Sequence, residues 1–258
     1  MITNNNVDNY GAPWKREELI LAFELYCRIP FKKTKANNTE IINLAGILHR
    51  TPASVARKLG NFGAFDPHLR QQNISGLPHY SRLDREIWNE FNNDWNNLVF
   101  EAYRIRKKTK NDTDETINII FPDGPTEQLK TVKHRVHQSF FRQTIMTNYE
   151  WRCCITGLSI PECLIASHII PWSKEEKYRT DPTNGLCLSS TFDKLFDNGL
   201  LTISDDFSIM ISDSLLRSED RATKDAICVY NGKPMMMPHR FVPSSNHLKW
   251  HRDNVFVA

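Results

Sequence analysis

No apolar run in this chain of 258 residues approaches the ~20 residues that a membrane-spanning helix needs. The first residues, Met1 to Asn6, lack the basic and apolar regions of a secretory signal. Six cysteines, Cys27, Cys153, Cys154, Cys163, Cys187 and Cys228, show no regular spacing. That pattern gives no disulfide framework and suits reduced thiols, several of them in a core. A dominant charge of one sign is missing as well, since the net charge is only +3, and no internal repeat occurs. These absences set the expectation of a cytoplasmic chain with no membrane partner. What remains is ordinary for a soluble protein, with 40% hydrophobic and 24% charged residues and length enough for two modest domains.

Charge distribution says more than its sum. Residues 1–65 hold nine Lys/Arg against five Asp/Glu, and Arg104, Arg106, Lys107, Lys108 and Lys110 form a second basic cluster. Both suit a polyanion, and both also suit a solvated face. The region itself reads as helices. One runs from Pro13 and Trp14 to about Arg28. A second starts near Asn38, where Asn37 and Glu40 have capping-box spacing, with Ile41, Leu44, Ala45 and Leu48 on one face. A third opens at Thr51-Pro52 and carries the stripe Val55, Leu59, Phe62. Three short helices of this kind resemble a Myb-like or helix-turn-helix unit. That resemblance would put the third helix in a major groove, with Arg57, Lys58 and Asn61 toward phosphates or base edges. A helical packing domain with a solvated polar face explains the same pattern.

A long helix is expected over about Arg82 to Lys108, with Trp88, Phe91, Trp95, Leu98 and Ala102 as its core stripe. Residues 111–125 read as a linker holding a short strand, Ile117 to Phe121, and a turn. Beyond it a helix runs from about Thr126 to Tyr149, with Leu129, Val132, Val136 and Phe140 on its buried face. Arg142 on this helix faces either a nucleic acid or plain solvent. Cys153–Thr156 and Leu164–Ile169 read as strands. Trp172 to Thr183 is a polar excursion containing Arg179. A helix over about Thr191 to Asn198 is stopped by Gly199, and a hairpin follows over Asp205-Asp206.

The chemistry-bearing residues gather in this second half. His168 ends a short apolar strand, Asn184 follows 16 residues later, and Asp193 and Asp197 lie at i and i+4 on one helix face. A histidine with a free ring nitrogen can take a proton from water near neutral pH. Two carboxylates one turn apart can hold a divalent cation through oxygen. Each residue also has a plain structural reading: a satisfied core histidine, a turn-forming Asn before Gly185, and helix-capping carboxylates.

From about Arg135 to Val257 the chain resembles the HNH nucleases, in their restriction-type branch. The likeness rests on Arg135 to Arg142, Cys153 to Gly157, and Ser167-His168-Ile169-Ile170-Pro171. It continues through Asn184, Asp193, Leu195 to Leu200, Trp250-His251-Arg252 and Val255-Phe256. The resemblance implies a ββα-metal motif, with His168 as general base, Asn184 in the asparagine position, and Asp193 and Asp197 as metal ligands. Two features depart from the family pattern. Ser167 stands where a metal-binding Asp or His is common. Thr156, Ser189 and Phe192 stand where a structural zinc would find cysteines, so a structural zinc is not expected.

The fold class expected is α+β: an all-helical domain over 1–110, a linker over 111–125, and a ββα-metal nuclease domain over 126–258. The expected function is a metal-dependent DNA endonuclease of restriction or host defence, using one Mg²⁺ or Mn²⁺ and cutting duplex DNA. Arg57, Lys58, Asn61, Arg142 and Arg179 are its candidate DNA contacts, and a homodimer would let one site per chain cut both strands. The alternatives are a catalytically inactive helix-turn-helix DNA binder, or a nuclease effector whose N-terminal domain binds a protein or a signal.

Overall fold

The computed structural model describes residues 9–110 and 126–258. The expected linker, with its short strand and turn, lies outside the described residues. The chain divides into two compact units, 1–140 and 141–258. The division falls inside a long helix.

In the first unit, α1 (Arg16–Arg28) is the central element. Every residue from Glu18 to Cys27 is buried, because α2 (Thr39–Ile47), α3 (Pro52–Gly63), α5 (Arg82–Phe91) and α6 (Trp95–Lys110) all pack on it. Short α4 (Pro67–Gln71) follows α3. The Phe23 ring gathers Phe62 at 4.9 Å, Trp88 at 5.2 Å and Trp95 at 6.2 Å between centroids, a cluster that supplies much of the buried area. Burying α1 all round also buries charge. Glu24 is held by Arg28 and by Arg106 at 2.7 Å. Burial alone would raise its carboxyl, but the two guanidinium charges hold it down to about 2.

Three sequence expectations change here. The cap of α2 is Asn38, whose side chain accepts from the Glu40 and Ile41 amides, not Asn37. The long helix over 82–108 is two helices, because Asn92-Asn93-Asp94 interrupts it and the Asp94 carboxylate accepts from the Asn97 amide at 3.2 Å. The polar face of α3 turns partly inward. Lys58 pairs with Asp84 at 2.8 Å, and Asn61 is 2% exposed with its amide 3.4 Å from the same carboxylate. Asp84 also accepts from the Ser81 amide in a capping box at the start of α5. A fixed carboxylate thus draws Lys58 and Asn61, two of the expected DNA contacts, toward the interior of the unit. Arg57 stays exposed.

Helix α7 (Thr126–Asn148) leads into the second unit. There the strands β1 (Leu164–His168) and β2 (Gly185–Ser189) pair antiparallel, with His168 opposite Gly185. Helix α8 (Ser190–Asp197) follows at once and packs on both strands. A second pair, β3 (Leu201–Ile203) and β4 (Ile209–Ile211), is followed by α9 (Asp213–Leu216), α10 (Arg221–Ala226) and α11 (Ser245–Asn254). Cys153–Thr156 is a turn rather than the expected strand. The Gly157 amide donates to the Cys153 carbonyl at 2.9 Å, and Gly157 takes φ +73, a conformation that glycine adopts without cost. The partner of β1 is instead Gly185–Ser189, buried at every position.

Gly199 ends α8 with φ +70. A Cβ there would lie 2.0 Å from the Val255 carbonyl oxygen, so the chain after α11 can close over this helix end only because the residue is glycine. The Val257 amide donates to the Gly199 carbonyl at 2.9 Å. Among the described residues no helix is long and apolar enough to cross a membrane.

Candidate active site

Between β1 and β2 the chain makes a polar excursion, and Asn184 closes it. The Oδ1 of Asn184 accepts from the Ile170 amide at 2.8 Å, and its Nδ2 donates to the Ile170 carbonyl at 3.1 Å. The side chain thus pairs with one residue as a peptide group would in a sheet. The same Nδ2 lies 3.2 Å from the Tyr178 carbonyl. Asn184 is 1% exposed, so these bonds form away from competing water. The Ile169 amide donates to the Asn184 carbonyl at 2.9 Å, which extends the β1–β2 ladder by one step.

With the loop so pinned, the Arg179 carbonyl reaches the His168 ring. Nε2 of His168 lies 3.0 Å from that oxygen. A carbonyl oxygen can only accept, so Nε2 carries the hydrogen, and in the neutral ring the lone pair falls on Nδ1. The ring stacks on Phe141 at 3.7 Å with 9° between planes, and it meets Trp172 edge-on at 5.5 Å. Burial lowers the imidazole from 6.5 to about 4, against the opposing pull of the Arg179 carbonyl. His168 is therefore neutral at pH 7, the protonation state that a general base needs.

Asp193 and Asp197 extend from α8. Asp193 is 7% exposed and its carboxylate makes no hydrogen bond or ion pair with the described residues, whereas Asp197 lies at the surface. Partial burial and then the Asp193 charge raise the Asp197 carboxyl. A carboxylate without a side-chain partner among the described residues, beside a second carboxylate whose ionisation it opposes, fits a divalent cation chemically. No group of three or more His, Cys, Asp or Glu side chains among the described residues is arranged to hold a metal. A cation at this pair would complete its shell with water and substrate oxygens, a habit of Mg²⁺. The hydroxyl of Ser167, which precedes His168 in β1, is buried without a hydrogen-bond partner among the described residues.

The candidate basic contacts differ among themselves. One guanidinium nitrogen of Arg142 donates to the Leu164 carbonyl at 3.1 Å and so braces α7 to β1. Arg179 donates to the Trp172 carbonyl at 3.1 Å, lies over the Trp172 ring at 5.2 Å and pairs loosely with Glu176 at 3.5 Å. Its backbone oxygen is the part aimed at His168. That role was invisible in the sequence, because any residue type supplies a carbonyl. Phe141 was missed too, as helical spacing points to Phe140.

Helix α11 holds two parts of this motif with histidines one turn apart. Nδ1 of His247 lies 3.2 Å from the Thr183 carbonyl, beside Asn184. His251 is 2% exposed. Its Nε2 donates to the Phe196 carbonyl on α8 at 3.1 Å, and its Nδ1 accepts from the Thr202 hydroxyl at 2.8 Å. Burial lowers this ring to about 4 as well.

Two rings with folded values near 4 and an ordinary value of 6.5 give a pH signature. Between those values the unfolded chain takes up protons that the folded chain refuses. Stability is then full above about 6.5 and falls as the pH drops toward 4. Urea midpoints measured between pH 7 and pH 4.5 should decline, and His251→Gln should flatten the decline. An unchanged slope in that variant would show that His251 titrates normally in the folded protein.

Residues 153–204 match the family model described as HNH endonuclease. No curated protein matches the chain. A solved structure, a modification dependent TagI restriction endonuclease, aligns over 45% of this chain at 20% identity, with a TM-score of 0.28. The aligned region spans 37% of that enzyme, about a third of its length. The matched segment contains β1, β2 and α8 in ββα order together with His168, Asn184, Asp193 and Asp197. Residues 153–204 thus match an HNH endonuclease domain, and the match covers this one segment of the chain.

Proposed function

We propose that the chain is a divalent-cation-dependent DNA endonuclease, with His168 as general base and Asp193 and Asp197 as cation ligands. The observation that carries this reading is the Nε2–H bond from His168 to the Arg179 carbonyl at 3.0 Å, which leaves Nδ1 as the basic nitrogen. Nδ1 takes a proton from a water molecule, and that oxygen attacks phosphorus in line with the leaving 3′ oxygen. The P–O3′ bond breaks and the departing 3′ oxygen takes a proton from solvent water, giving a 5′ phosphate and a 3′ hydroxyl. A bound Mg²⁺ or Mn²⁺ supplies charge neutralisation for the phosphate. Asn184 keeps the loop closed so that the Arg179 carbonyl stays on Nε2. Arg142 and Arg179 add positive charge on the substrate side.

Chelation should abolish cutting of plasmid DNA, and Mg²⁺ or Mn²⁺ should restore it, because carboxylate oxygens favour hard cations. Asp193→Asn should lower the Mg²⁺-supported rate by roughly two orders of magnitude, since a ligand to a charge-neutralising ion contributes several kcal/mol. Restoration by Zn²⁺ alone would contradict the carboxylate assignment.

The first unit serves to find duplex DNA. The exposed cations Lys32, Lys33 and Lys35, with Arg57 on α3, support this reading. Binding of the full chain to duplex DNA should weaken steeply with salt, and Arg57→Ala should reduce the salt slope by roughly one. A slope unchanged by Arg57→Ala would remove α3 from the interface. A role in restriction or host defence follows from the sequence resemblance, and comparing modified with unmodified plasmid tests it: equal cutting of both would count against it.

A further inference from the structure

One bond does not orient an imidazole. The Nε2–H bond to the Arg179 carbonyl fixes one corner of the His168 ring, but a single hydrogen bond tolerates a range of angles and so permits rotation of the ring about its Cβ–Cγ bond. The position of Nδ1 would swing with that rotation. A second constraint must set the plane, and it comes from the face of Phe141. The two rings stand 3.7 Å apart with 9° between their planes, and Phe141 is 2% exposed.

The space for that ring is made from the opposite strand. Gly185 lies across the ladder from His168. A Cβ on Gly185 would lie 2.7 Å from Cζ of Phe141 and 2.4 Å from Cδ1 of Ile145. Ile145 is fully buried and belongs to the core that includes Phe141, Leu186 and Phe196, so neither side chain can retreat cheaply. The absence of a side chain at one strand position thus lets the aromatic ring of α7 lie flat on the catalytic strand's histidine. Trp172 meets the His168 ring edge-on, but the residue comes from the polar excursion and not from the packed core.

We propose that Phe141, lodged in the notch left by Gly185, is a positioning residue that fixes the plane of the His168 imidazole and thereby aims Nδ1 at the attacking water. The proposal rests on the reading of His168 as general base. Phe141 touches neither substrate nor cation in this account and acts only through the ring it supports.

The test uses the full chain with Phe141→Leu, which keeps apolar volume but removes the flat face, and with Gly185→Ala, which keeps the ring but crowds it. Nuclear magnetic resonance of the histidine rings gives a readout independent of cutting. Carbon-bound protons of His168 lie over the Phe141 face and are shielded. Phe141→Leu should move them downfield while a folded spectrum persists. In plasmid nicking with Mg²⁺, both variants should lose roughly 10²-fold in kcat, as expected for a reacting group displaced by about 1 Å, with KM near the native value. A loss confined to KM would overturn the proposal. So would native kcat in a folded Phe141→Leu chain, or His168 resonances that do not move. If Phe141→Leu does not fold, Phe141→Met and Gly185→Ala carry the same readings. A native chain that cuts no substrate, or a His168→Ala chain that cuts as well as native, overturns the base assignment and this proposal with it. Cutting that depends on His168 but not on Phe141 overturns this proposal alone.

Discussion

The hydrogen bond between Nε2 of His168 and the Arg179 carbonyl is the contact around which the second unit is arranged. It selects the tautomer, and the tautomer decides whether the ring can act as a base at Nδ1. Its formation requires an excursion to return to the end of β1 at one height. Asn184 enforces that return through three side-chain bonds to backbone groups of the same excursion. The asparagine and the histidine of the motif therefore do one job in two parts. One fixes the loop, and the loop fixes the proton.

The same logic appears at the other end of the unit. Helix α11 has no chemistry of its own, yet its histidines hold Thr183 beside the loop end and Phe196 near the end of the carboxylate helix. Both α11 histidines meet backbone carbonyls, and His251 and His168 each lie flat on a phenylalanine, at 3.7 Å in both cases. Burial of such rings is tolerated because every ring nitrogen that carries hydrogen has an acceptor. The consequence is acid sensitivity, since protonation must break into packed surroundings. The carboxylates show the opposite condition. Asp193 is largely buried, yet its carboxylate has no hydrogen-bond or ion-pair partner among the described residues, which leaves its oxygens open to a further contact.

Much of this was legible in the sequence, and what was not has physical causes. His168, Asn184, Asp193 and Asp197 stand out because strand end, loop and helix face dictate their spacing. Thr51-Pro52 marked the start of α3 through local capping chemistry. Strand β2 was hidden because all five of its positions are buried, so no alternation announces it. The inward turn of Lys58 and Asn61 depends on Asp84, which lies 26 and 23 residues away. No local pattern on α3 reveals a carboxylate brought there by another helix. The partnership of Phe141 with Gly185 is likewise a property of two elements meeting, one supplying a ring and the other supplying room.

The central claim is that His168 is the base, and the rate of plasmid nicking by native and His168→Ala chains under Mg²⁺ or Mn²⁺ tests it most directly. The account predicts a drop of roughly 10²- to 10⁴-fold on losing the general base, with 5′-phosphate and 3′-hydroxyl ends in the native products. Equal nicking by both chains would contradict it and would require a different group to take the proton.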